Sequence, residues 1–147
     1  MKSPESASLI RRIAAIFYDL LLLIGILFVV SAIAVWINRG EAVEHPLYYL
    51  ALLIATYVFY GWFWTHGGQT LGLRTWRLRV VDNHGDTLNW RQSLHRFAAA
   101  WIAFLPAAAG LLWIIFDRDS LALHDRLSKT RIIVLPKGYH LRDNSEN

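Results

Sequence analysis

Between Ile13 and Ile37 the chain runs for 25 residues with one charged side chain, Asp19. A helix of that length rises about 37 Å, enough to cross the ~30 Å hydrocarbon core of a bilayer with some tilt. Two further stretches, 46–64 and 97–116, carry no charge at all. With 55% hydrophobic residues among 147, this pattern belongs to a helical membrane protein rather than a soluble core. The expected fold is an all-α membrane protein with two transmembrane helices plus a third span or re-entrant helical hairpin, and a small cytoplasmic β-pair. The chain has no cysteine, which removes disulfide, zinc-thiolate and thiol chemistry. Basic loops flanking membrane segments account for the net charge of +4, so no nucleic-acid partner is expected. Lys2, Arg11 and Arg12 before an apolar run also fit a signal peptide, with Ala32-Ile33-Ala34 as a cleavage-like triplet. The run is too long for that, and Asp19 sits inside it.

Three parts are expected: a disordered lead-in over 1–10, a membrane domain over 11–136, and a polar tail over 137–147. Asn38-Arg39-Gly40 stops the first helix. The short connection 38–45 makes helices one and two an antiparallel hairpin, with Pro46 in the first turn of the second. Aromatic residues from Tyr48 to Trp64 cluster toward the two ends of the second helix, as interfacial belts do. His66-Gly67-Gly68 closes it. The segment before Ile13 holds three Lys/Arg, the 38–45 connection one, and the 65–96 loop five. The positive-inside rule therefore places the N terminus in the cytoplasm and 38–45 outside, in a bacterial inner membrane.

Within the long loop, Arg77, Arg79 and Val81 alternate with Trp76, Leu78 and Val80, a strand with one basic face. Residues 88–97 put Trp90, Leu94 and Phe97 on one stripe, an interfacial helix that leads into the third apolar run. That run, 97–116, is just long enough to span, yet the 117–147 segment beyond it holds six Lys/Arg. The segment also contains a strand over 130–135 that needs a partner such as 76–81. Pro106-Ala107-Ala108-Ala109-Gly110 interrupts the run at its middle. A re-entrant hairpin would return the tail to the cytoplasm and satisfy both constraints. A kinked full span remains the alternative, because charge bias can be overridden.

Arg12 and Asp19 are seven residues apart, on one helix face and about 10 Å from each other. A charge within the membrane costs roughly 2.5–3.5 kcal/mol on insertion scales, so Asp19 should face protein or water with a partner. It reads either as a proton or cation carrier, or as a structural side chain paired with Arg12, the backbone or another segment. Asp117, Asp119, His124 and Asp125 have no ligand spacing that defines a metal site, and Arg118 and Arg126 interleave with them. Gly67–Gly72 lacks the Gly-Lys-Ser/Thr of a phosphate loop and reads as a turn near the headgroups. Arg74 and Arg77 are placed to meet anionic lipid headgroups, beside their ordinary role as topology determinants. No nucleophile–base arrangement is present, and neither an enzyme nor a cofactor is expected.

Three motifs in order resemble the RDD family of small membrane proteins, named for one arginine and two aspartates. They are Arg12-x6-Asp19, then Gly68-Gln69-Thr70-Leu71-Gly72 before Arg79-Val80-Val81-Asp82, then Leu123-His124-Asp125-Arg126-Leu127-x2-Thr130 before a terminal strand. The resemblance covers about residues 9–135. It implies a functional cluster of Arg12, Asp19 and Asp125, with Arg11, Thr70, Gly72, Arg79, His124 and Thr130 in support. A cytoplasmic Asp125 would meet Arg12 or Arg11 at that surface. Leu73 stands where many relatives carry a lysine, with Arg74 next to it. The resemblance also implies transport, since cation/proton exchange is attributed to some members. Two functions from different classes are therefore carried forward: an ion- or proton-coupled transporter working as a homo-oligomer, and an accessory subunit of a larger envelope or lipid-transport complex. Because the chain lacks cysteine, single cysteines at Asn38 and Ser145 report topology on intact cells. The re-entrant reading expects an impermeant reagent to label the first and spare the second, and labelling of both would overturn it.

Overall fold

The computed structural model describes residues 7–104, 113 and 121–136. The choice between a third span and a re-entrant hairpin, Asp117 and Asp119, and the 137–147 tail fall outside the described residues.

Two long apolar helices dominate, α1 (Leu9–Ile37) and α2 (Pro46–Thr65), each long and apolar enough to cross a membrane. α1 ends as expected. Arg39 and Gly40 take left-handed backbone, with φ of 57° and 91°, and the Gly40 N–H donates to the Val35 carbonyl at 2.9 Å. Such a turn satisfies carbonyls the helix would otherwise leave open. Pro46 then opens α2, and the His45 ring accepts from the Leu47 N–H at 3.2 Å. The Ser31 and Tyr48 hydroxyls meet at 2.8 Å and join the two helices near their connection. Of the aromatics toward the other end of α2, Trp62 is exposed, whereas Phe59 and Trp64 are buried. That end is therefore part belt and part core.

The beginning of α1 differs from the sequence boundary. The helix starts at Leu9, and Ala7 is buried, with its N–H donating to the Ile132 carbonyl at 3.1 Å. Residues 7–10 thus belong to the folded body rather than to a disordered lead-in. An edge strand offers unpaired carbonyls, and Ala7 takes one of them.

The remaining elements are short: α3 (Leu71–Thr75), β1 (Leu78–Asp82), α4 (Trp90–Phe104), α5 (Leu123–Leu127) and β2 (Thr130–Val134). β1 and β2 pair antiparallel, with Val80 opposite Ile132 and Asp82 opposite Thr130. The expected pairing of 76–81 with 130–135 is present, shifted because Arg77 takes a φ of 54° and leaves Trp76 outside the ladder. Gly68 hooks the end of α2 onto this sheet. Its carbonyl accepts from the Val80 N–H at 2.7 Å, its φ is 73°, and a Cβ there would run into the Val80 carbonyl. The Gln69 side chain adds a bond to the Leu78 carbonyl at 2.7 Å. The glycine-rich segment therefore works as a turn that binds a strand.

α4 buries Ser93, Arg96, Ala99 and Ala103, while Trp90, Leu94, Trp101 and Ile102 are partly exposed. Small residues on the inner face let neighbours approach closely, and the outer apolar face suits an interfacial helix. α2 and α4 meet through Tyr57, whose hydroxyl lies 3.2 Å from the Ser93 hydroxyl and whose ring packs edge-on against Phe97. A core of Ala15, Trp64, Leu73, Leu78, Val80 and Ile132 joins the helices to the sheet.

Candidate functional site

Burial on α1 falls on Arg12, Ala15, Asp19 and Leu23. Steps of three and four residues define one helix face. That face carries two polar nodes, each bonded to a different part of the chain.

The first node is Asp19, 3% exposed. Its Oδ2 accepts from the Thr70 hydroxyl at 2.5 Å, and its Oδ1 accepts from the Gly72 N–H at 2.9 Å. Thr70 is also the N-cap of α3, accepting from the Leu73 N–H at 3.2 Å. A Cβ on Gly72 would strike the Ala15 carbonyl and stand 2.8 Å from Asp19 Oδ1. The Thr-x-Gly motif thus has a direct physical meaning: the threonine supplies an O–H, and the glycine supplies an N–H with no side chain to hold α1 away. Leu73 is buried in the core and Arg74 is exposed, so Arg74 does not bring a charge to the place of Leu73.

The second node centres on Asp125, with no exposed surface. Its Oδ2 receives Arg12 Nη1 and the Ala122 N–H, the latter at 3.3 Å. Its Oδ1 lies 2.7 Å from Arg96 Nη1 and 3.5 Å from His124 Nε2. Arg12 also donates through Nε to the Ala7 carbonyl at 3.0 Å, and Arg96 donates to the Thr130 hydroxyl. The Arg96 guanidinium lies over the Trp64 ring, 5.2 Å from its centre, a favourable cation–π placement.

Of the residues expected in one cluster, the structure brings together Arg12, Asp125, His124 and Thr130, and separately Asp19, Thr70 and Gly72. The single cluster of Arg12, Asp19 and Asp125 is therefore corrected to two nodes. Two helical turns, about 10 Å, separate Arg12 from Asp19, and the two side chains turn toward different segments. Arg11, Arg74, Arg77 and Arg79 belong to neither node; the stem of Arg79 would instead crowd a side chain at Gly68, at 3.1 Å. Sequence reasoning missed Arg96, which is 2% exposed. Its signal was its position: Arg96 directly precedes a charge-free apolar run, as Arg12 precedes Ile13.

A cavity of about 490 Å³ opens beside both nodes, with Arg12, Asp19, Arg96 and His124 at its polar end. Among the described residues no group of three or more His, Cys, Asp or Glu converges as metal ligands do. Burial alone would push the Asp125 carboxyl up, but the Arg96 and Arg12 charges hold it well below the usual carboxylate range. Burial brings His124 down to about 4, outweighing the attraction of Asp125. At neutral pH the Asp125 carboxyl is thus ionised and the His124 imidazole neutral.

Breaking a buried ion pair by removing one partner costs about 3–5 kcal/mol. Arg12→Ala and Asp125→Asn should each lower unfolding stability on that scale. Because both disrupt one interaction, the double variant should lose clearly less than the sum, and additive losses in detergent-solubilised protein would refute a shared node. The pH dependence follows from His124, whose folded pKa lies below its unfolded value of about 6.5. Between those values the unfolded chain takes up a proton that the folded chain does not. Stability should be full above pH ~6.5 and fall as the pH drops toward about 4. His124→Gln should flatten the thermal-unfolding profile across that window.

No solved structure matches the chain. Over 71 residues it is 34% identical to an uncharacterised protein of Rickettsia prowazekii (strain Madrid E). The aligned part is 48% of this chain but 39% of that protein, so the chain spans well under half of that relative's length. The family model described as RDD matches residues 6–129, a stretch that holds Arg12, Asp19 and Asp125. With two apolar helices of membrane-crossing length around those three residues, the chain belongs to the RDD family of membrane proteins.

Proposed function

We propose that this protein is a non-enzymatic accessory subunit of the bacterial inner membrane, docking on a larger membrane complex through the outward faces of α1 and α2. The observation that carries this reading is the internal commitment of the polar groups on α1. Asp19 is taken up by Thr70 and Gly72, and Asp125 by Arg12 and Arg96. A coupled carrier instead needs polar groups free to exchange bonds with its cargo. Outward, α1 and α2 present exposed Phe17, Phe28, Trp36, Leu47 and Leu53 to lipid or partner helices.

The same geometry supports a depth for Asp19. Non-helical backbone is not tolerated in lipid-exposed hydrocarbon, and the Thr70–Gly72 turn bonds directly to Asp19. The 18 residues Leu20–Ile37 beyond it rise about 27 Å, close to one hydrocarbon thickness. Asp19 then stands at the cytoplasmic boundary, with Arg74 and Arg77 near anionic headgroups worth about 1 kcal/mol each.

One observation favours the second reading, an ion- or proton-coupled homo-oligomer: Asp19 lines the cavity. Asp19→Asn separates the two. It keeps an acceptor for Gly72 but loses the charge, at about 1–3 kcal/mol of stability. The docking reading expects wild type to co-purify stoichiometrically with a larger complex, the variant to weaken that recovery, and ion flux in vesicles to stay unchanged. Recovery as a lone homo-oligomer whose flux disappears in the variant would refute docking and establish transport.

A further inference from the structure

We propose that the cavity between α1, α2 and α4 binds one amphiphile with an anionic headgroup, its oxygen at Arg96 and its apolar chain along α1. The site has an apolar body and a polar end. Leu20, Leu23 and Leu27 of α1 form one wall, and Phe97, Ala100 and Trp101 of α4 form another. The volume of about 490 Å³ falls within the ~300–1,000 Å³ of small-molecule sites.

The polar end holds two buried nitrogens without hydrogen-bond partners, Arg96 Nε and His124 Nδ1. Both side chains line the cavity, and both are more than nine-tenths buried. Buried donors are nearly always satisfied in native proteins, so a bare guanidinium N–H beside a cavity marks a place for an acceptor. Arginine suits an anionic oxygen because its charge is permanent and its donors are fixed in a plane. Arg96 Nη1 meets both Asp125 and Thr130, contacts that hold the guanidinium in place at the cavity wall. The imidazole of His124, neutral near pH 7, presents either an N–H or a lone pair at Nδ1 according to its tautomer. It therefore also accommodates a headgroup hydroxyl. Asp19, the carboxylate at this end, has both oxygens covered by Thr70 and Gly72. The leucine and aromatic walls suit an apolar chain rather than a free ion. The site does not depend on whether the chain docks on a larger complex.

The test uses the full-length protein in mild detergent, read by native mass spectrometry against phosphatidylglycerol, diacylglycerol and inorganic phosphate. A charge-assisted bond to Arg96 should favour phosphatidylglycerol over diacylglycerol, which lacks the phosphate, by about tenfold or more. Ala100→Trp fills the apolar wall without touching either node and should abolish that retention while leaving thermal unfolding in place. Leu27→Trp, on the opposite wall, supplies the same test if the first variant folds poorly. Equal retention of the two lipids would overturn the proposal, as would retention insensitive to both tryptophans. Displacement of the lipid by inorganic phosphate would also overturn it, by making the site one for a free anion.

Discussion

A carboxylate with no exposed surface, Asp125, holds this fold together at one end. Through Arg12, Arg96, Thr130 and the Ala122 N–H it connects α1, α4, β2 and the start of α5. Within a membrane the hydrophobic effect does not draw helices together, since lipid is as apolar as leucine. Directional bonds between segments must then set their register. A buried ion pair is a poor source of net stability compared with apolar packing, but removing one partner is severely penalised. Its value here lies in excluding other arrangements. A different rotation of α1 would leave Arg12 buried without Asp125, and Asp19 without Thr70.

The second node explains why the residue on α1 is an aspartate facing a Thr-x-Gly turn. Two acceptor oxygens on a short side chain are needed, one for an O–H and one for an N–H. Glutamate would reach a methylene too far for a turn already touching the α1 backbone. Asparagine would offer a donor where the threonine also donates. Glycine at position 72 follows from the same closeness, because the Ala15 carbonyl fills the space of a side chain. One helix face therefore dictates residue choice in a segment more than 50 positions away.

Much of this was legible in the sequence because it is local. The length of α1, its Asn-Arg-Gly stop, the Pro46 start and the strand pair all follow from runs and turn residues. The seven-residue spacing also placed Arg12 and Asp19 on one face. What the spacing could not supply was which segment each side chain meets, and a single three-residue cluster was the wrong resolution of that ambiguity. Arg96 escaped notice because its partners lie some 30 residues away, and helical periodicity says nothing about a distant acceptor. Ala7 escaped because an alanine in a polar lead-in carries no pattern, and only the open edge of β2 makes it part of the core. α3 and α5 are five residues each, too short for a period to show.

The two nodes divide the cavity end unequally, and that shapes what the cavity can hold. Asp19 accepts from two neutral donors, one on each oxygen. The Asp125 carboxylate is matched by two guanidinium groups, and the adjoining imidazole stays neutral near pH 7. Arginine does not lose its proton in this range, and Asp125 is held ionised far below it. The charges of the Asp125 node therefore change little near neutral pH. A relay or a pH sensor requires the opposite, a group poised to change its charge. A permanent charge at one end of an apolar space instead gives orientation, one end for a head and the rest for a chain. The same fixed charges that set the register of α1 thus give the space beside it a polarity that any occupant must match.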